Sequence, residues 1–462
     1  MAVESQDRRG PGEAPQRGIA ERTGRVAPGP RGLPLLGSLD LRRDVLGSLH
    51  RAMLEYGDVV RFIVGPPGRL RVQLLGLFHP EAVQHVLAGA SGEYLKDTPV
   101  YREIRTTLGN GLLTSEGEVW RRQKRLIQPL FTHRRVASHV PLMADEADRV
   151  VEQWRPSARG DGTVDLHADM TRVTLNVVGQ ALFGGDVDHM VPVLRDVFPF
   201  LSERVIKRGV PRPIPATWPT PGNRRAKRAR RALYGLVDDL IARRRRAPGG
   251  GQDLLGLLLD AQDPEGGTGL SDEEVRDQAL IFLLAGHETT ATSLTFALHL
   301  LGRHPAVRRR LHEEVDEVLG ERMPTLEDVR ALGYTTMVVK EAMRLYPAAY
   351  AIGRLAPPEG DTIDGYEVPR GSVVLVSPWV THRHPAFWDE PERFEPERFT
   401  PEREAARHRY AYFPFAGGPR ACIGSYFSML EAVVVVALLM RSYDLTTPPE
   451  PIPLFTGITL RP

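Results

Sequence analysis

The chain has 462 residues, 42% of them hydrophobic, which is enough to enclose a sizeable core. Its 60 Lys and Arg nearly balance 58 Asp and Glu, and a net charge of only +2 excludes a general nucleic-acid binder while leaving room for local basic patches. A single cysteine cannot form an intramolecular disulfide, so the fold does not depend on oxidation, which suits a reducing compartment.

Residues 1–27 contain no apolar run and read as a disordered tail, neither a signal peptide nor a membrane anchor, with one ordered domain expected over 28–462. A cytoplasmic, monomeric protein is the corresponding expectation. The domain opens with a proline-rich extended segment at 28–39, and "VVRFIVG" and "LRVQLLG" then predict a β-hairpin around Pro66, Pro67 and Gly68. From about 115 to 350 the pattern is mostly helical. Five prolines within 208–223 predict a loop, the arginine-rich stretch that follows predicts a basic helix, and a second loop is expected at 247–251. Ser271 and Glu274 have the spacing of a capping box, and no proline follows until Pro305. A helix of about 32 residues, roughly 48 Å long, is therefore expected there. Beyond Pro347 short strands with turns take over, as in "TIDGYEVPRGSVVLVSP". The longest apolar run, at 432–440, is too short to span a bilayer.

The lone thiol lies in "FAGGPRACIG", residues 415–424. Gly417, Gly418 and Gly424 permit turns that residues with a Cβ resist. The apolar stretch from Ser425 predicts a helix, so Cys422 would sit just before a helix N-terminus, where free N–H groups favour an anion. A thiolate held this way is a strong ligand for a soft metal.

The loop fits the pattern F-x-x-G-x-R-x-C-x-G at Phe415, Gly418, Arg420, Cys422 and Gly424, and it resembles the haem-binding loop of the cytochromes P-450. The resemblance implies a mainly α fold with a small β region: one large domain holding haem b between the long central helix and the cysteine loop. It implies Cys422 as the axial iron ligand and Arg420 as a contact of a haem propionate. "AGHETT" at 285–290 falls in the long helix in the family's order. Ala285 and Gly286 would leave room for a flat ring, and Glu288 and Thr289 match the acid–alcohol pair that relays protons during oxygen activation. A zinc motif fails here, because Ala291 stands where a second histidine is needed.

"EAMR" and "FEPERF" match the family's structural network at Glu341, Arg344 and Arg398. Trp120 opens "WRRQKR", where the family usually places arginine four positions on. Here that position is Lys124, so either Lys124 or Arg125 would meet the propionate. Arg354 matches a further propionate position. By the same resemblance Phe282, Ala285, Tyr350, Ile352 and the turn Phe455–Ile458 line the substrate pocket, apolar with one phenol. The activity implied is insertion of one oxygen atom from O2 into a lipophilic substrate, with fatty acid, steroid, terpenoid and polyketide all open. Peroxygenase or isomerase chemistry is the alternative within the fold, and a haem-based gas sensor or electron carrier the non-enzymatic one. No flavin or nicotinamide fingerprint is present, so electrons would come from a ferredoxin or flavodoxin with its reductase. The basic cluster Arg121, Arg122, Lys124, Arg125, Arg134 and Arg135 is the expected dock.

Overall fold

The computed structural model describes residues 24–462 except 34–36, 39, 67, 69–70, 161, 185–189, 210–217, 247–252 and 264. The helices, in chain order, are α1 (Asp40–Arg43), α2 (Val45–Tyr56), α3 (Pro80–Gln84), α4 (Pro99–Leu108), α5 (Gly117–Ile127), α6 (His133–Ala137), α7 (Val140–Arg159), α8 (Leu166–Phe183) and α9 (Val191–Arg208). They continue with α10 (Pro221–Arg246), α11 (Leu254–Asp260), α12 (Asp272–Arg303), α13 (Pro305–Leu319), α14 (Leu326–Ala331), α15 (Gly333–Leu345), α16 (Pro378–Thr381), α17 (Pro401–Ala406) and α18 (Ser425–Ser442).

The β region is small. β1 (Val59–Val64) and β2 (Val72–Leu77) form the antiparallel hairpin, with Val60 opposite Gly76. They join β3 (Ile352–Leu355) and β6 (Val373–Val376) in a sheet of order β1-β2-β6-β3, in which only the β2–β6 pairing is parallel. β4 (Asp361–Ile363) with β5 (Tyr366–Val368), and β7 (Phe455–Thr456) with β8 (Leu460–Arg461), form separate hairpins.

Order begins earlier than residue 28. The Arg25 N–H donates to the Gly365 carbonyl and its carbonyl accepts from Glu367, while Ala27 is buried against the sheet. Residues 24–27, placed within the expected tail, thus contact the β4–β5 hairpin and the sheet, and residues 1–23 lie outside the described part. The loop expected at 208–223 is bounded more tightly by helix, since α9 runs to Arg208 and α10 starts at Pro221, and its centre lies outside the described residues. The loop expected at 247–251 lies wholly outside them.

α12 is the spine. Its capping box is complete: the Ser271 hydroxyl accepts from the Glu274 N–H and the Glu274 carboxylate accepts from the Ser271 N–H. Its first half, Val275 to Leu284, is buried in one apolar core with α8, α9, α10 and α11. Its second half, Ala291 to Leu301, is buried in another with α7, α13, α15 and α18. Residues 285–290 lie at the seam between the two cores. α18 is long and apolar enough to cross a bilayer, yet Leu430 to Met440 are buried in the second core.

Candidate functional site

The cysteine loop is shaped by its backbone. Ala416 and Gly418 both take positive φ, at 60° and 66°. A Cβ on Gly418 would fall 2.0 Å from the Leu87 carbonyl oxygen, so only glycine fits there. Gly417, by contrast, is extended, and its lack of a side chain serves close approach to the Tyr410 ring rather than a turn. A 3-10 turn over Gly418–Arg420 leads to Cys422, whose N–H donates to the Phe415 carbonyl at 2.9 Å. Gly424 caps α18, and a Cβ there would meet nothing within 4 Å. The Cys422 side chain keeps accessible surface on one side. The packed loop around it pushes the thiol's pKa up, against the pull of the Gly424 N–H and of Lys96.

Cations gather beside this loop. Arg420 lies over the Trp120 ring at 3.9 Å from its centre, pairs with Glu116 and donates to the Ser115 carbonyl at 2.9 Å. Lys124 caps the same ring at 5.2 Å and donates to the Pro419 carbonyl at 2.8 Å. Arg125 turns away, to Asp263 and Glu265, each at 3.1 Å. Of the two residues open as propionate contacts, only Lys124 thus adjoins the cysteine loop. Arg354 is buried in β3.

Sequence reasoning missed Lys96. It is buried, its ammonium donates to the Leu113 carbonyl at 3.2 Å, and burial, then Arg354 and Arg420, hold its pKa well below the usual lysine value. The chain has only five lysines among its 60 basic residues, and that rarity was the available signal. Three mutually repelling cations, a thiol at a helix start and an open glycine fit a flat group that carries a metal at its centre and carboxylates at its edge. The residues present therefore suit haem.

On the opposite side, α12 is buried throughout its middle except at Ala285, which is exposed, and at Gly286 and Thr289, which are half-buried. The Thr289 hydroxyl donates to the Ala285 carbonyl at 2.7 Å. Gly286 also lets two helices approach, since a Cβ there would come 3.0 Å from Val178 of α8. Thr290 points elsewhere, bonding the Gly286 carbonyl at 3.1 Å and the Ser428 hydroxyl of α18 at 3.0 Å.

Glu288 is buried, and burial pushes its pKa up from 4.5 to about 7, with Thr459 and Arg461 pulling it down. Its carboxylate faces the β7–β8 hairpin, with Arg461 Nε at 3.7 Å. Acid and alcohol are adjacent in sequence but turned to different neighbours.

The predicted structural network is assembled. Glu341 and Arg344 are wholly buried and joined by a two-pronged pair of 2.6 and 2.9 Å. Arg344 also donates to the carbonyls of His382, Pro391 and Arg393 at 2.7–3.0 Å. Arg398 Nε approaches Glu341 at 3.4 Å. This ties the meander at 382–398 to α15.

The pocket residues divide. Phe282 packs with Phe131 at 5.3 Å between ring centres, and Ile458 joins the same apolar cluster, its N–H held by the Ser202 hydroxyl at 2.9 Å. The Tyr350 phenol is not free for a ligand, since it donates to the Gly457 carbonyl at 2.9 Å. Ile352 is buried in the sheet's core, and Phe455 is largely exposed.

The basic cluster is largely engaged. Arg121 pairs with Glu118 at 3.0 Å, and Arg122 with Glu274 at 2.8 Å. Arg134 and Arg135 on α6 are exposed.

Comparison with known proteins agrees with this geometry. The sequence model of the family described as cytochrome P450 matches residues 27–462. Cyclooctat-9-en-7-ol 5-monooxygenase of Streptomyces melanosporofaciens is 37% identical over 93% of this chain and 91% of its own length. Pentalenene oxygenase of Streptomyces avermitilis is 31% identical over 86% of each chain. The crystal structure of the cytochrome P450DA heme domain superposes with a TM-score of 0.85 at 30% identity, covering 95% of this chain and 96% of that one. A cysteine loop before the apolar helix α18 and an opened seam in a long helix, on a fold shared from end to end, place this chain in the cytochrome P450 family, as a haem-thiolate monooxygenase.

Proposed function

We propose that the protein uses haem b to hydroxylate or epoxidise a polycyclic terpenoid, drawing electrons from a separate ferredoxin or flavodoxin. The observation that carries this reading is that, among the described residues, those on the Ala285 side of α12 are apolar or have their polar groups already engaged. Phe282, Phe131 and Ile458 are apolar, Tyr350 gives its hydroxyl to Gly457, and Glu288 faces Arg461. A substrate held there is gripped by shape and apolar burial, not by an ion pair. Relatives named for cyclooctatin and pentalenene, both polycyclic terpenoids, point the same way.

Bound haem supplies the iron that activates O2 and inserts one oxygen atom. The residues supply the rest. Cys422 would be the iron's ligand, and Lys96, Lys124, Arg354 and Arg420 would hold the carboxylates. The Glu288 carboxyl, with its pKa near 7, exchanges a proton readily at neutral pH. The Thr289 hydroxyl donates to the Ala285 carbonyl on the open side of α12.

The test is a panel of a polycyclic diterpene alcohol, a sesquiterpene hydrocarbon, a steroid and a long-chain fatty acid. Displacement of the iron's water is read as a Soret shift, and product is assayed with O2 and a surrogate ferredoxin and reductase. Response to the terpenoids, dependent on both O2 and reducing equivalents, is expected. Response to the fatty acid alone would overturn the substrate assignment. Reduction by an acidic ferredoxin that slows at low ionic strength in Arg134→Ala and Arg135→Ala would support docking at α6.

A further inference from the structure

Four buried polar atoms without a hydrogen-bond partner come from three segments that meet beside α12. They are Glu288 Oε1, Thr459 Oγ1, Arg461 Nε and His167 Nδ1. Buried polar atoms are seldom left unpaired, so four of them converging on one carboxyl call for an explanation. Arg461 Nε stands 3.7 Å from Glu288 Oε1, close enough for strong attraction but too long for a direct hydrogen bond. Arg461 is held in β8, whose Leu460 N–H donates to the Ala348 carbonyl at 2.9 Å, and its side chain is 18% exposed. It therefore reaches from the protein surface to a carboxyl that is itself sealed off.

From this convergence we infer that Arg461 is a positioning residue for Glu288: the C-terminal hairpin holds the carboxyl away from Thr289 and, with Thr459 and His167, lines the route by which Glu288 exchanges protons with solvent.

The groups facing this carboxyl are few. The β7–β8 hairpin contributes Thr459 and Arg461, both of which favour the ionised carboxylate against its burial. The start of α8 contributes His167, whose pKa burial and then Arg461 lower, with Asp165 opposing them in part. On α12 itself His287 is turned the other way, with Nδ1 on the Leu283 carbonyl at 2.6 Å and its own carbonyl bonded by Thr174 of α8. Arg461 is thus the only full charge set against Glu288 by these contacts. The family relation alone does not single it out, since it lies 173 residues from Glu288, on the penultimate residue of the chain.

The first measurement is made on the haem-loaded resting protein without turnover. The protonated-carboxyl stretch of Glu288, assigned as the infrared band lost in Glu288→Gln, is titrated against pH. An opposite charge at this range lowers a carboxyl pKa by about 1–3 units. Arg461→Gln is therefore expected to raise the midpoint by that amount, and Arg461→Lys to restore it most of the way. Solvent isotope effects on product formation should move along the same pH axis. Arg461 is partly exposed and its replacement is expected to fold; Arg461→Met, which keeps the volume, must give the same shift if Arg461→Gln does not accumulate. A midpoint unchanged in either neutral variant overturns the proposal. Because the titration needs no substrate, its outcome is independent of whether the substrate is a terpenoid.

Discussion

Arg420 and Lys124 both lie over the indole of Trp120, at 3.9 and 5.2 Å from its centre, and the same two cations hold the cysteine loop to α5, through Glu116 and through the Pro419 carbonyl. The loop that carries Cys422 is thus braced by positive charge before any anion is bound.

That bracing has a cost at Lys96, whose ammonium is crowded by Arg354 and Arg420. Lys96→Met should have opposite effects on the two forms of the protein. The haem-free form should gain stability, on the order of 1 kcal/mol, since a buried repelled charge disappears. The haem-loaded form should release haem about tenfold faster to a scavenging apoprotein, equivalent to about 1.4 kcal/mol of lost retention. Equal melting temperatures and equal release rates would remove Lys96 from the site.

Cys422→Ser and Cys422→His should abolish the absorption of the reduced, carbon monoxide-bound protein near about 450 nm, which requires a thiolate ligand. Cys422 is the chain's only thiol, so no second one can substitute. Survival of the band in either variant would contradict the ligand assignment.

Arg344→Ala should yield little haem-loaded protein. It leaves the wholly buried Glu341 carboxylate with only the longer contact to Arg398 as an opposite charge and frees the carbonyls of His382, Pro391 and Arg393. Breaking a buried pair in this way costs roughly 3–5 kcal/mol. Arg344→Lys should rescue only in part, because one ammonium cannot reproduce the fork. Yield and the ratio of Soret to protein absorbance measure both.

Thr289→Ala should bind haem and substrate almost normally while converting a several-fold smaller share of reducing equivalents into product, the remainder appearing as hydrogen peroxide. Thr290→Ala is the control, because the Thr290 hydroxyl is bonded to Ser428 and faces α18. Product formed per electron pair decides the matter. Tight coupling in Thr289→Ala together with uncoupling in Thr290→Ala would reverse the assignment.

Glu288 should make stability depend on pH. Unfolded, its carboxyl ionises near 4.5; folded, near about 7. Between these values the native protein holds the extra proton, so the stability this group confers is complete below about 4.5 and is lost as pH rises through about 7. The difference amounts to roughly 3 kcal/mol. Denaturant unfolding of wild type and Glu288→Gln between pH 4.5 and 8 should show the slope only in wild type.

Much of this was legible because some signals are local. The capping box at Ser271 and Glu274 depends on residues three apart and formed as read. The β-hairpin followed from alternation and a turn. What sequence could not reveal were partners brought from afar. Arg122 reads as free charge until Glu274, 152 positions away, turns out to neutralise it. The Tyr350 phenol reads as a pocket group until the Gly457 carbonyl, 107 positions on, accepts it. Lys96 and Arg461 belong to no short motif, and only the folded chain brings them to Cys422 and Glu288. The glycines at 417 and 418 look alike in sequence, yet one serves a left-handed turn and the other close approach, a distinction set by Leu87 and Tyr410.

α5 is moored at two points, by Lys124 to the segment just before Cys422 and by Arg122 to the opening turn of α12. A load on this one helix is therefore shared between the cysteine loop and the start of the longest helix, two segments about 150 residues apart in the sequence.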